Sequence, residues 1–308
     1  MRINHATRTP TRSLLVLAAW LLAGSAGANP SGGSVVAGSA TMAQQGRVLT
    51  VTSTTAKTAI DWQSFSIGAD EITRFVQPSV DSSVLNRVLS DQPSVLLGGL
   101  ESNGRVFLIN PAGILVGEGA RIDVGGFVAS SLHLGLEDFL ADRFDFQATP
   151  GAGRVENRGQ IRSASGGSIF LVAPDVQNQG VIEAPGGEVI LAAGDRVSLL
   201  DTATPGVRVE LGATPGKVTN LGQVLAEAGS VGIAGALVRN SGSVSADSVV
   251  RQGGRVFLSA SGSLRTDEGS VVSADGATRG GEIEISAGSL MSGGTLSADG
   301  AEAGGLVR

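Results

Sequence analysis

The residues that could carry acid–base chemistry are few in this sequence, and they stand apart from one another. Carboxylates such as Asp175, Asp195 and Asp201 occur singly. Enzymes that cleave glycans instead pair two carboxylates, or a carboxylate with a basic residue, on a groove lined by aromatic side chains. The chain has two lysines, no tyrosine and two tryptophans. These residue types predict a protein that is not an enzyme.

Metal-ligating and phosphate-binding patterns are likewise missing from the sequence. The histidines are His5 and His133, and His133 between Leu132 and Leu134 has the setting of a packed strand residue. Neither the Gly-Gly-x-Gly-x-Asp calcium repeat nor a glycine-rich phosphate loop with its lysine occurs. We therefore expect no metal and no cofactor.

One polar group with a distinctive spacing interrupts the apolar segment GRVFLINPAGILVG, residues 104–117. Asn110, Pro111 and Gly113 suit a turn, because asparagine can bond its own backbone, proline presets φ and glycine admits a positive φ. Ile114 then begins a second apolar run. From spacing alone the segment is predicted to be a strand, a sharp structural corner and the start of the next strand.

The first strand of that segment belongs to a repeated unit, a glycine followed by six residues. The other copies are Gly167-SIFLVA, Gly187-EVILAA, Gly254-RVFLSA and Gly281-EIEISA. The second, fourth and sixth residues of each copy share one face, because side chains alternate along a strand. They are apolar throughout, except that Asn110 stands at the sixth position of the copy at Gly104, where the other four have alanine. That face is predicted to be the inside, with Ile169, Val189, Val256 and Ile283 stacked in one column.

The third residue of each copy points to the opposite face. This column contains Phe107, Phe170, Ile190 and Phe257. We expect hairpins to cover it, with Phe139, Leu140 and Phe144 in the covering element as a short helical turn. An exposed apolar stripe used in adhesion is the alternative.

A second unit, Val-x-Asn-x-Gly-x-(Ile/Val), repeats with a period of about 21 residues and carries Asn157, Asn178, Asn220 and Asn240. Each asparagine alternates with apolar residues and so points the same way as they do. A buried amide without partners costs ~1–3 kcal/mol, so we expect the four to stack and satisfy one another as a structural ladder. A surface turn position is the alternative.

Units of this length, with short strands and glycine corners, cannot bury an apolar face alone but can stack on copies of themselves. The predicted fold is therefore all-β, a parallel β-helix of about 13 coils at ~4.8 Å per strand. The stretch that begins at Ser273 recurs almost verbatim from Ser297, and the chain stops two residues into a strand. We expect from this a truncated product, since stacked repeats normally end in a polar cap.

Residues 1–28 are predicted to be a secretory signal peptide. Arginines precede an apolar run at 14–22, and Ala26-Gly27-Ala28 supplies a cleavage site before Asn29. The run is too short to span a bilayer. The net charge is −6, with no basic run, which argues against a nucleic-acid partner. Cysteine is absent, so the core alone must hold a secreted protein together.

Residues 29–148 closely resemble the N-terminal secretion domain of filamentous haemagglutinin-like proteins, the exoproteins of two-partner secretion. The matching segments are TAIDWQSFSIG (58–68), FVQP (75–78), LNRV (85–88), NGRVFLINPAGI (103–114) and GGFVASSL (125–132). The family motif is usually Asn-Pro-Asn-Gly-Ile, so Ala112 departs from it and removes one amide side chain from the turn.

The resemblance implies a right-handed β-helix with an N-terminal cap and extra hairpins. It also implies a partner, a dedicated outer-membrane transporter that recognises the domain in the periplasm and exports the rest of the chain. The residues that would form the secretion motif are Asn86, Arg87, Asn110, Pro111, Gly113 and Ile114. The implied division is a signal peptide at 1–28, a secretion domain at 29–148 and β-helical repeats at 149–308.

These inferences predict a secreted or cell-surface exoprotein of the haemagglutinin type, an adhesin that binds a host or bacterial cell-surface receptor. The main alternative is the export module of a longer secreted toxin or contact-dependent growth inhibitor. A β-helical polysaccharide lyase is the distant alternative.

Overall fold

The protein, described here by a computed structural model, is an all-β structure whose described residues contain one short helix besides strands, turns and loops. The structure describes residues 29–201, 207–212, 214–250 and 252–308. The predicted signal peptide, residues 1–28, lies outside the described residues. None of the helical segments in the described part of the chain has the length and hydropathy for crossing a bilayer.

Three faces of parallel strands wrap around one apolar core, and most coils of the chain contribute a strand to each face in turn. The first face consists of Lys57–Trp62, Ser83–Val88, Arg105–Ile109, Gly126–Ser130, Ser168–Ala173, Glu188–Ala193, Leu306–Val307 and the first halves of three long strands, Ser230–Asn240, Arg255–Thr266 and Glu282–Ser292. The second face consists of Ser94–Leu96, Ile114–Val116, Val155–Asn157, Asp175–Asn178, Lys217–Asn220 and the second halves of the same long strands. The third face consists of Val48–Ser53, Ile72–Val76, Gly99–Ser102, Arg121–Val124, Gln160–Ser163, Val181–Glu183, Gln223–Leu225, Ser243–Ser245, Val271–Ser273 and Thr295–Ser297.

The predicted inward column is confirmed by the strand register. Ile169 pairs with Val189, and Val256 pairs with Ile283, while Val231 stands between the two pairs. All of these side chains are fully buried in the inner core. The parallel β-helix predicted from the repeats is therefore the observed fold.

The predicted number of coils is wrong. The described residues place ten strands on the first face, fewer than the 13 coils expected. The reason is that several segments leave the coil path. Two strands at the N-terminal end, Ser34–Ala37 and Ala40–Gln45, pair antiparallel with the first and third faces. Four others, His133–Leu134, Phe144–Gln147, Arg196–Asp201 and Val207–Leu211, form a separate antiparallel sheet.

That antiparallel sheet lies against the outer side of the first face and creates a second core. Phe107 and Phe170 are buried there together with Phe139 from a short helix, Leu136–Leu140. The Phe107 ring meets Phe139 edge-on at 5.3 Å between centroids. The predicted cover over the aromatic column is thus confirmed for the helical turn, Phe139 and Phe144. Leu140 is instead 38% exposed, and Phe257 is only half-buried and lies outside this second core.

Glycines at two corners of the coil stack on one another and form continuous columns. A Cβ added at Gly187 would overlap the carbonyl oxygen of Gly167, and one at Gly167 would overlap that of Gly125. The first glycine column comprises Gly104, Gly125, Gly167, Gly187, Gly229, Gly254, Gly281 and Gly305, and the second comprises Gly117, Gly159, Gly180, Gly222 and Gly242. Bare backbone at these corners is what lets successive coils approach to the spacing of a ladder.

Candidate functional site

The predicted corner at Asn110 lies between the first and second faces, where strand Arg105–Ile109 ends and strand Ile114–Val116 begins. The N–H of Gly113 donates to the carbonyl oxygen of Asn110 at 2.9 Å, which closes a β-turn. The N–H of Ala112 donates to the side-chain oxygen of Asn110, also at 2.9 Å. Gly113 has a φ of +111°, a conformation that a side chain would strain. The chain turns here as the spacing predicts.

The amide nitrogen of Asn110 ties this turn to the preceding coil. It donates to the carbonyl oxygen of Gln92 at 3.0 Å and to Oγ of Ser94 at 2.9 Å. Asn110 has no exposed surface. Its side chain is therefore fully occupied by contacts within the chain.

The following coil covers the other side of the same turn. The N–H of Gly153 donates to the carbonyl oxygen of Pro111 at 2.8 Å, and the N–H of Ile114 donates to that of Arg154 at 3.0 Å. Ile114 itself is 2% exposed and points into the inner core. Only Pro111 and Ala112 keep partial exposure in this motif. The corner is therefore hydrogen-bonded to both the preceding and the following coil.

Asn86 and Arg87 lie one coil earlier on the first face and point in opposite directions. The Asn86 side chain is buried, accepts a hydrogen bond from the indole Nε1 of Trp62 at 2.9 Å and donates to the carbonyl oxygen of Phe107 at 3.1 Å. Arg87 points outward and forms a two-bonded ion pair with Asp61, at 2.7 and 2.9 Å. Arg87 stands beside the residue that precedes Asn110, because its strand partner is Ile109.

The four repeated asparagines meet in one continuous ladder on the second face. Each Nδ2 donates to the Oδ1 of the next asparagine along the stack, from Asn157 through Asn178 and Asn220 to Asn240, at 2.8 Å in every step. None of the four has exposed surface. The ladder satisfies polar groups that would otherwise be costly to bury.

Two ion-pair clusters perturb carboxyl groups on the outside of the molecule. A hydrogen bond from Ser241 and others from Arg265 and Arg239 hold the pKa of Asp267 well below its usual range. The guanidinium of Arg196, helped by Ser198 Oγ, lowers the pKa of Asp145 in the antiparallel sheet. Both clusters join strands that are distant in sequence, so their chemistry is that of structural cross-links.

The sequence does not predict the hydrogen-bonding partners of these side chains. Ser94 and Gln92 carry no motif that would pair them with Asn110, because their contact arises only when two coils stack. Lys57 is another example: its Nζ donates to the carbonyl oxygens of Phe139 and Leu140, at 3.2 and 2.7 Å, and so closes the C-terminal end of the short helix. The apolar column beneath that helix can be recognised in the sequence, but the contact between Lys57 and the end of the helix cannot.

His133 departs from its predicted setting. It lies on a strand, as expected, but its side chain is exposed, because the alternation of the strand turns the fully buried Leu132 and Leu134 inward instead. Within the described residues no group of three or more His, Cys, Asp or Glu side chains is placed to hold a metal ion.

Comparison with known protein families matches most of this chain. The family model described as the TPS secretion domain covers residues 26–271. The crystal structure of the HMW1 secretion domain from Haemophilus influenzae superposes with a TM-score of 0.84 and 35% sequence identity, over 91% of this chain and 76% of that chain. The similarity confirms the β-helix.

Two curated relatives share part of the sequence. The heme/hemopexin-binding protein of Haemophilus influenzae strain Rd is 32% identical over 224 residues, which is 70% of this chain and 25% of the relative. Another heme/hemopexin-binding protein of Haemophilus influenzae is 40% identical over 78 residues, which is 25% of this chain and 8% of that protein. The chain thus spans a quarter or less of the curated relatives it matches.

Proposed function

The chain belongs to the TPS secretion domain family, and from that premise we propose that its segment 29–148 commits the protein to export by the partner outer-membrane transporter that two-partner secretion requires. Exoproteins of this system are secreted across the outer membrane. The residues that we assign to transporter recognition are Asn86, Arg87, Asn110, Pro111, Gly113 and Ile114.

The burial of Asn86, Asn110, Gly113 and Ile114 carries the proposal that this part of the signal is read before folding. Asn86, Asn110 and Ile114 are at most 2% exposed, and their polar atoms are bonded within the chain. A transporter can contact such side chains only while the segment is extended. Folding outside the cell then hides the signal, which favours release and makes export one-way.

Secretion of matched variants tests this function. Asn110→Ala and Asn157→Ala each remove a fully buried amide that bonds across coils, so both destabilise the fold by comparable amounts, about 1–3 kcal/mol. With the transporter co-expressed, we expect Asn110→Ala to lower the exported fraction much further than Asn157→Ala. Equal losses in the two variants, or export without the transporter, would refute the proposal.

Adhesion at the cell surface is the task we propose for the exported protein. The third face supports it, because its outward column is a row of charged side chains that an elongated receptor-binding surface would use: Arg74, Glu101, Asp123, Arg162 and Glu183. Attachment of cells that display the protein, with and without charge reversal in this row, tests the idea. A growth-competition assay between bacterial strains distinguishes the alternative, an exported toxin.

A further inference from the structure

Asn103 and Gly104 form the single Asn-Gly dipeptide of the chain. In this dipeptide the main-chain nitrogen of glycine can attack the side-chain Cγ of asparagine with little steric hindrance. A bond forms between that nitrogen and Cγ, the nitrogen gives up its proton, and ammonia leaves. Water then opens the resulting cyclic imide at either carbonyl and yields aspartate or isoaspartate.

The fold requires both members of this reactive pair. A Cβ on Gly104 would lie 2.7 Å from the carbonyl oxygen of Ser82 and 2.7 Å from Nε2 of Gln77, so glycine is needed at this corner. Asn103 is needed for a different reason: its Oδ1 accepts the N–H of Gln77 at 2.8 Å, and its Nδ2 donates to the carbonyl oxygen of Gln77, also at 2.8 Å.

These two bonds extend the third face by one rung beyond its last residue. Gln77 follows strand Ile72–Val76, and Asn103 follows strand Gly99–Ser102, which is its parallel neighbour. The side-chain amide of Asn103 thus takes the part of a main-chain peptide group. It needs a donor and an acceptor together, which a carboxylate cannot supply.

The same contacts hold the two reacting groups away from the geometry that the reaction needs in the folded protein. The plane of the Asn103 amide is fixed at both ends by Gln77, and the attacking N–H of Gly104 is engaged with Oγ of Ser102 at 3.1 Å. In the unfolded chain none of these restraints exists, while the dipeptide is unchanged. Asn103 is nevertheless exposed at the surface, so water can reach it when this corner unfolds locally.

We propose that Asn103 is a site of spontaneous deamidation that folding switches off, with water as the co-reactant, so that each chain carries a covalent record of the time it spent unfolded. In the aspartate product, a carboxylate oxygen replaces the Nδ2 group that donates to the carbonyl oxygen of Gln77, so that hydrogen bond is lost. The isoaspartate form also lengthens the main chain where Gly104 packs beneath Gly125. A chain that reacts before folding therefore closes this corner poorly.

The rate of deamidation in the wild-type chain is the primary test. The protein is held in native buffer and in urea at the same mildly alkaline pH and temperature, and the peptide that contains residues 103 and 104 is followed by mass spectrometry. We expect the unfolded chain to react at least about tenfold faster, because the folded chain reacts only through local opening. Equal rates would overturn the proposal.

A pair of variants tests the consequence for folding. Asn103→Asp reproduces the aspartate product, and Gln160→Glu introduces the same charge at an exposed position of the third face. We expect the first to lower the urea midpoint and the second to leave it unchanged. Identical midpoints would overturn the proposed role of the donor. If Asn103→Asp does not fold at all, the wild-type rates still decide whether folding controls the reaction.

Discussion

Ala228 occupies a backbone conformation that its neighbours in the stack leave to glycine. Its φ is +55°, and the residues at the same corner of the two preceding coils are Gly186 at +63° and Gly166 at +76°. An L-residue with a side chain pays about 1–2 kcal/mol in this region. The structure thus holds Ala228 in place against a local preference.

Replacing Ala228 by glycine is therefore expected to stabilise the fold. The relief of the left-handed strain exceeds the added freedom of the unfolded chain, so the free energy of unfolding should rise by roughly 0.5 kcal/mol. The matched change Gly186→Ala should lower it by a similar amount, since a Cβ there meets only atoms at 3.8 Å or beyond. Urea unfolding followed by circular dichroism measures both, and a less stable Ala228→Gly would contradict the strain argument.

The charge cluster around Asp267 predicts a pH dependence. Ser241, Arg265 and Arg239 lower the pKa of its carboxyl group in the folded state, so this cluster stabilises the fold above the unfolded pKa and loses that effect as the pH falls. We expect Asp267→Asn to be less stable than the wild type near neutral pH. The difference should shrink below about pH 4, where the carboxyl group of the unfolded chain is protonated.

Urea midpoints at several pH values provide the measurement. The control is Asp123→Asn, at an exposed position of the third face, which should alter the midpoint little. A deficit in Asp267→Asn that stayed constant down to acidic pH would argue that the carboxylate charge has no part in the effect.

At the scale of the elements, the glycine columns decide how closely two coils can approach. A Cβ at Gly187 would overlap the main chain of Gly167, and no flexible side chain is available to move aside. We expect Gly187→Ala to lower the free energy of unfolding by roughly 3 kcal/mol or more. Gly232→Ala, in the next coil of the same face, meets only Cγ1 of Ile190 at 3.7 Å and should be tolerated.

Thermal and urea unfolding of the two alanine variants makes this comparison directly. A tolerated Gly187→Ala would show that the coils can separate at the corner without loss. A damaging Gly232→Ala would mean that glycine matters for backbone freedom in general and not for contact at the corner.

The elements that repeat were predictable, and those that do not repeat were not. The stacking of Ile169 on Val189 and the ladder from Asn157 to Asn240 follow from a period that is written in the sequence. The pairing of Phe144–Gln147 with Arg196–Asp201 has no such signal, because two antiparallel strands that meet once leave no recurring pattern. The sequence predicts hairpins and a helical turn with Phe139 over Phe107, but it does not indicate that Arg196–Asp201 completes the covering sheet.

The same limit explains the candidate site. The turn at Asn110 could be predicted because asparagine, proline and glycine act locally. Its bond to Ser94 and the bond of Asn86 to Trp62 could not, since each depends on which coil lies beneath which. The number of coils is wrong because the prediction divided the whole length by one period and so counted the segments that leave the coil path as coils.

At the scale of the whole molecule, the inner core is not uniform along its length. Trp62, Phe65, Phe75 and Phe127 fill its N-terminal part. Towards the other end the inner core is built from smaller aliphatic side chains such as Val244, Val256 and Val272. A stack of coils with nearest-neighbour contacts can open from its weaker end.

Two optical probes should therefore disagree during unfolding. In a chain that begins at Asn29, Trp62 is the single tryptophan and reports on the N-terminal coils, whereas far-ultraviolet circular dichroism reports on all strands. We expect the dichroism signal to fall at lower urea than the shift in Trp62 fluorescence. Coincident transitions would instead indicate one cooperative unit.

The glycine columns also constrain how the gene for such a protein can change its length. Each glycine of a column must pack against the glycine of the preceding coil. A deletion of a few codons within a coil would therefore place every later glycine of the column next to a residue with a side chain. Length can change only by whole turns, or by segments such as residues 194–216 that exit and re-enter at the same point. Related proteins with this fold are therefore expected to differ in length by whole coils.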